Sequence, residues 1–237
     1  SCMLRTHIQT GGSTLTAQQP ENNIVRAAVQ SLASILGGVQ SMALSCYDEA
    51  LAIPTDDAQR IALRTQQVLA YETGVTDTVD PLAGSYYVEQ LTNQLEKKAS
   101  KIMDKIEDIG GAVTAIEDSW MQREITSAAY KYQKEIEDGT RVIVGVNQFT
   151  DGPKQSPGIF KVDPSVAKIQ TNKIAQLKSE RNQKEVTNSL NHLREEALGE
   201  KNLFPPILES VKSYATTGEI CDTLREAFGE YRPPTEI

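Results

Sequence analysis

Residues 3–13 read MLRTHIQTGGS, and the alternation within the first seven positions decides how the chain is read. Side chains along a strand point to opposite faces with a period of two. A strand over residues 3–9 therefore carries Arg5, His7 and Gln9 on one face and Leu4, Thr6 and Ile8 on the other. Thr10-Gly11-Gly12-Ser13 follows at once, and Pro20-Glu21-Asn22-Asn23 leads into a helical pattern. A polar strand face running into glycines points to an open interior that receives a ligand. The plainer alternative is an edge strand with one solvated face.

Working outward, residues 24–36 place Ile24, Val25, Ala28, Leu32 and Ile35 on a helical stripe that Gly37-Gly38 ends. Residues 39–45 predict a second strand, and residues 57–71 a second helix stopped at Gly74. Strand, helix, strand, helix is the order of a parallel α/β sheet. Two such units do not close an eight-stranded barrel, so a barrel would need its other strands from elsewhere. Because the chain begins abruptly in strand-like sequence, a fragment or split subunit is expected.

From Ser85 onward the pattern is helical. Residues 86–109 form a long amphipathic helix closed by Gly110-Gly111, and helical sequence continues over 112–118 and 120–137. RVIVGVN at 141–147 reads as a short β-rich run, and 150–157 as a loop or linker. Charged helices are expected over 164–199 and 206–215. Thr216 and Glu219 have capping-box spacing before a last helix that ends near Gly229, and 229–237 reads as a tail. The expected domains are 1–150, an α/β part with long helices, and 151–237, a helical extension.

Composition narrows the function. A net charge of −8 argues against a nucleic-acid surface, which concentrates Lys and Arg. No apolar run approaches the ~20 residues that cross a bilayer, and no basic, apolar leader is expected. Three dispersed cysteines, Cys2, Cys46 and Cys221, fit neither a metal cage nor a disulfide framework, so a cytoplasmic setting is expected. His7 and His192 are the only histidines, which excludes a multi-histidine metal site; no metal is expected. P-loop, GxGxxG, GxSxG and HExxH patterns are all missing.

Three stretches carry candidate chemistry. His7 stands on the polar strand face, beside the βα loop where barrel active sites are built. Ser41, Ala43 and Ser45 form a uniformly small face on the second strand, where barrels ordinarily place bulky branched residues. Such a face leaves room for a slender polar chain, or packs closely against a helix. Asp48-Glu49-Ala50 follows that strand, and a carboxylate there accepts hydrogen bonds from a diol or caps the next helix. Asp80-Pro81-Leu82-Ala83-Gly84-Ser85 reads as a turn that caps the long helix.

Four blocks together resemble one family. RTHIQTGGSTLTAQQPENNIVRAAVQ, GGVQSMALSCYDEALAIPTDDAQRIALRTQ, DPLAGSYYVEQLT and RVIVGVN are similar to the large subunit of coenzyme B12-dependent acyl-CoA mutases, of which methylmalonyl-CoA mutase is a member. The likeness is dense over residues 3–150 and looser to about 231. It implies the C-terminal portion of a (β/α)8 TIM barrel followed by a mainly helical segment. It also implies an isomerase that rearranges the carbon skeleton of a branched or dicarboxylic acyl-CoA by radical chemistry, with adenosylcobalamin as cofactor.

Its implied partners are an acyl-CoA substrate, the remaining N-terminal barrel portion and a cobalamin-binding small subunit or domain, with neither nucleic acid nor membrane. By position, the resemblance makes His7 catalytic and assigns Gln9, Gly12, Glu49 and Ala52 to the cofactor. Ser41 falls to the CoA ester. A non-catalytic helical assembly subunit of such a complex is the alternative.

The match departs from methylmalonyl-specific members, which usually have Ser-Gly-Trp at Gly11-Gly12-Ser13 and Leu-His-Thr-Asn at 42–45. The wording at Gln18-Gln19-Pro20-Glu21 is closer to isobutyryl- or 2-hydroxyisobutyryl-type mutases. The Asp-x-His-x-x-Gly signature that supplies cobalt's lower ligand is missing from this sequence.

Overall fold

The computed structural model describes residues 5–152 and 158–232. Met3 and Leu4 of the expected first strand lie outside these residues, as do Cys2 and the prolines of the expected linker and tail. The chain divides into two compact units, residues 1–161 and 162–237.

The first unit opens with a parallel pair of short strands, β1 (His7–Gln9) and β2 (Ser41–Ala43). His7 stands opposite Ser41, Ile8 opposite Met42 and Gln9 opposite Ala43. Helix α1 (Asn22–Leu36) connects the strands, and α2 (Asp56–Glu72) follows β2. The expected β/α order is therefore present as a two-stranded sheet among the described residues.

Alternation sorts the two faces. His7, Gln9 and Ser41 are exposed, whereas Ile8 and Met42 are half-buried. Leu44, in step with Met42, packs with Ala27 of α1 and Ala62 of α2 in a small core, against which Cys46 rests. Small residues at these contacts let the helices approach closely. Thr55 caps α2 by accepting from the Ala58 N–H at 3.2 Å.

The long helix α3 (Tyr86–Ile109) forms as its stripe predicts. Asp80 and Gly84 adopt positive φ in the turn before it, and Gly84 N–H donates to the Glu89 carboxylate at 3.1 Å. Gly110 and Gly111 both have positive φ and turn the chain into α4 (Ala112–Glu117). Ser119, left-handed at φ 57°, then separates α4 from α5 (Trp120–Glu137).

RVIVGVN departs from its β-rich reading. Beyond one isolated bridge, Val144 to Gln148, it forms a turn. Asn147 organises it, accepting from Ile143 N–H at 2.7 Å and donating to the Ile136 and Arg141 carbonyls at 2.9 and 2.7 Å. A side chain that meets the backbone locally removes the need for a partner strand.

In the second unit, the single helix expected over 164–199 is two: α6 (Pro164–Glu180) and α7 (Gln183–Ala197). Asn182 caps α7, its side-chain oxygen accepting from Lys184 and Glu185 N–H, so the helical stripe is broken by a polar cap. Helix α7 packs on α8 (Phe204–Lys212) and α9 (Thr217–Phe228) around Val186, Leu193 and Ile220.

The capping box forms as spaced, with Thr216 N–H donating to Glu219 at 2.8 Å. Arg181, its side chain 3% exposed, grips the same carboxylate at 2.6 and 2.7 Å and donates to the Tyr214 carbonyl at 2.9 Å. The Arg181 guanidinium holds the Glu219 carboxyl far below the usual carboxylate range. Among the described residues no helix is long and apolar enough to cross a membrane.

Candidate functional site

The open strand face carries the first half of the site. His7 Nδ1 and Ser41 Oγ lie 2.8 Å apart, so the serine hydroxyl fixes the imidazole ring and leaves Nε2 unengaged by it. One register step earlier, Thr6 donates to Gln40 Oε1 through its N–H at 2.8 Å and its hydroxyl at 2.9 Å. Gln9 extends the polar face beside Ala43, whose side chain is only a methyl group.

The small face ends sooner than its alternation predicts. Ser45 is buried, 3% exposed, and turns onto Thr10. Its N–H donates to Thr10 Oγ1 at 2.9 Å, and its hydroxyl donates to the Thr10 carbonyl at 3.0 Å. Thr10 N–H in turn donates to the Ala43 carbonyl at 3.1 Å. The strand ends are thus clasped by side chains that satisfy backbone groups no third strand meets here.

The two loops beyond the clasp form the second half. Gly12 begins a single 3-10 turn (Gly12–Thr14), and Glu49 comes from the loop after β2. A Cβ on Gly12 would stand 2.0 Å from Glu49 Oε1, well inside van der Waals contact. Among the described residues no hydrogen bond reaches the exposed Glu49 carboxylate, which leaves it free to accept from a ligand. Ala52, half-buried, ends the same turn, its N–H donating to the Asp48 carbonyl at 3.1 Å.

Several supporting residues were not legible as such. Asn23, fully buried, donates to the Thr16 and Tyr47 carbonyls at 2.8 and 2.9 Å and accepts from Thr16 N–H and Arg26. It ties one loop to the other with every amide position used. Arg26 also donates to the Val144 carbonyl, and Gln19, at φ 47°, donates to the Phe149 and Asp151 carbonyls. The RVIVGVN turn is thereby fastened to the loop that carries Gly12. The asparagine pair at 22–23 was the available signal, and the sequence showed it only as the lead into a helix.

Asp48 is not a rim acid: it is 1% exposed, and its carboxylate accepts from Thr55 N–H and Oγ1 at 2.9 and 3.1 Å. Burial first, then the Asp48 and Glu49 carboxylates, push the Cys46 thiol up from its ordinary value. It stays protonated near neutral pH, which removes it as a nucleophile. A cavity of about 680 Å3 opens next to the Gly12 turn, lined by Ser13, Thr14, Val25, Val29, Tyr132 and Val144 among others. Neither His7, Gln9, Gly12 nor Glu49 borders it; His7, Gln9 and Glu49 are exposed and Gly12 is half-buried. Among the described residues no three His, Cys, Asp or Glu groups cluster as metal ligands.

A parallel β/α unit followed by long helices defines the class: a mostly helical α/β protein with a small parallel sheet. A family model described as methylmalonyl-CoA mutase matches residues 1–230. The methylmalonyl-CoA mutases of Rhizobium meliloti (strain 1021) and Escherichia coli (strain K12) are 42% and 40% identical across 100% of this chain. The 2-hydroxyisobutanoyl-CoA mutase large subunit of Aquincola tertiaricarbonis is 41% identical across 98% of it. This chain belongs to the methylmalonyl-CoA mutase family. It spans 34%, 33% and 42% of the length of those three relatives, respectively.

Proposed function

We propose that this chain is part of the large, catalytic subunit of an adenosylcobalamin-dependent acyl-CoA mutase in the cytoplasm. In this reading residues 1–150 are the C-terminal portion of a (β/α)8 barrel with its long helices, and 151–237 a helical extension. The N-terminal barrel portion and a cobalamin-binding subunit or domain complete the enzyme. The substrate is a branched or dicarboxylic acyl-CoA, of the kind named by methylmalonyl-CoA and 2-hydroxyisobutanoyl-CoA mutases among the relatives.

One observation carries the cofactor assignment: the Glu49 carboxylate stands directly against Gly12, 2.0 Å from where a Cβ would be. A flat macrocycle bearing a ribose needs bare backbone to lie against and an unpaired acceptor for its diol, and these two residues offer both. Gln9 adds an amide for the macrocycle's side groups, and Ala52 presents a methyl group that adds little bulk. When bound, adenosylcobalamin supplies a cobalt–carbon bond that breaks homolytically, the hard part of the chemistry.

This chain's residues do the positioning. Ser41 holds His7 through Nδ1, so that Nε2 keeps one orientation toward the acyl group. The exposed Ser41 edge and the methyl of Ala43 leave the slender CoA arm a path along the strand face. Closure of the completed barrel over that face would exclude water and strengthen each of these polar contacts.

Reconstitution tests the reading. The chain is mixed with the remaining barrel portion, the cobalamin subunit, adenosylcobalamin and a panel of branched and dicarboxylic acyl-CoA esters. Isomerised product is expected with one ester, and its loss in His7→Ala. No turnover with any ester would overturn the proposal. Unchanged turnover in His7→Ala would favour the alternative, an assembly subunit.

A further inference from the structure

We propose that Asp48 is a positioning residue for Glu49: its buried carboxylate clips the loop after β2 so that Glu49 stands against Gly12. The inference rests on the cofactor role proposed above for Glu49. Asp48 begins the turn that holds Glu49, and its carbonyl accepts from Leu51 and Ala52 N–H at 2.8 and 3.1 Å. Its carboxylate reaches across to Thr55, accepting from both backbone N–H and hydroxyl. Thr55 is itself anchored as the N-cap of α2. The loop is therefore pinned at its start and end to a helix terminus, and Glu49 lies inside the pinned segment.

Asp48 is 1% exposed, and its Oδ1 has no hydrogen-bond partner among the described residues. A buried side chain with one oxygen unpartnered is costly, and the two bonds from Thr55 to the other oxygen offset that cost and hold the loop. Loosening the clip frees Glu49 to swing away from any ligand on that surface.

The test uses the assembled mutase and titrates adenosylcobalamin by visible absorbance, with acyl-CoA KM and far-ultraviolet circular dichroism measured alongside. Asp48→Ala is expected to weaken cobalamin binding about tenfold or more, the loss of one oriented charged hydrogen bond. Asp48→Asn keeps an acceptor for Thr55 and is expected to stay within about threefold of the parent. Acyl-CoA KM and the helical spectrum should not move in either variant, whereas a merely structural role would shift both together.

Parent-like cobalamin affinity in Asp48→Ala, or a loss in Asp48→Asn as large as that in Asp48→Ala, would overturn the proposal. If Asp48→Ala does not assemble, Thr55→Val removes one of the two bonds together with the cap on Ala58 N–H, and is expected to weaken cobalamin binding about threefold with acyl-CoA KM unmoved; no change in cobalamin binding overturns it equally. Glu49→Gln separates the two claims. If that variant also binds like the parent, the failure lies with the cofactor role of Glu49 and not with the clip alone.

Discussion

Replacing Gly12 by alanine tests the close approach on which the candidate site is built. The added Cβ would stand 2.0 Å from Glu49 Oε1 and 3.0 Å from its Cδ. Ordinary contact begins about 3.4 Å out, so the carboxylate must move by more than 1 Å. The atom met is the far end of a flexible, exposed side chain, and Gly12 lies outside the left-handed region, so alanine is tolerated by the backbone. Driving Glu49 off its rotamer costs about 0.5–1.5 kcal/mol. Removing a glycine returns about 0.4–1 kcal/mol through the unfolded chain.

These two effects nearly cancel, so the assembled enzyme should melt within a few degrees of the parent. Cofactor affinity should not escape in the same way. Displacing a charged hydrogen-bonding group costs about 1.5–3 kcal/mol, or roughly one to two orders of magnitude in Kd. Thermal melting and adenosylcobalamin titration of Gly12→Ala, Glu49→Ala and the double variant measure both quantities. Because both single changes act on one contact, their affinity losses should fall well short of adding. Additive losses, or a Gly12→Ala enzyme that binds cobalamin like the parent, would refute the reasoning.

Three further outcomes are expected. Thr10→Val strands the buried Ser45 N–H and should cost about 1–3 kcal/mol in urea unfolding, while Thr10→Ser retains the acceptor and most of the stability. Glu219, whose carboxyl is held far below its ordinary value near 4.5, contributes stability that is fully present above that pH and is lost as pH falls below it. Acid titration of Glu219→Gln should therefore show a flatter stability profile below about pH 4.5, with about 1–2 kcal/mol less stability at pH 7; a profile parallel to the parent's would count against the Arg181 clamp. Asn147→Ala removes three hydrogen bonds from the RVIVGVN turn, and limited proteolysis should then cut near residues 141–148, where the parent resists.

Most of the helical architecture was legible because its signals are local. A 3.6-residue apolar stripe, a pair of glycines and a Thr-x-x-Glu box act within a few residues, and α3 and α9 follow them closely. The failures share a cause as well. Asn147 and Asn182 redirect the backbone through their own side chains, so a β-branched run became a turn and one long helix became two. Composition cannot distinguish an asparagine that caps from one that is merely solvated.

From sequence alone came the alternating polar face of His7 and Gln9, the β/α order and the family likeness, since periodicity and motif order are properties of the chain itself. Tertiary structure alone decided that His7 meets Ser41 and that Gly12 lies against Glu49. It also decided that Ser45 closes inward on Thr10 and that Asp48 is buried beside an exposed Glu49. The first three relations join residues 34 to 37 positions apart. Parallel register and the clasp between strand ends set them, and neither leaves a local trace, because a parallel pair is fixed by what packs across the crossover helix.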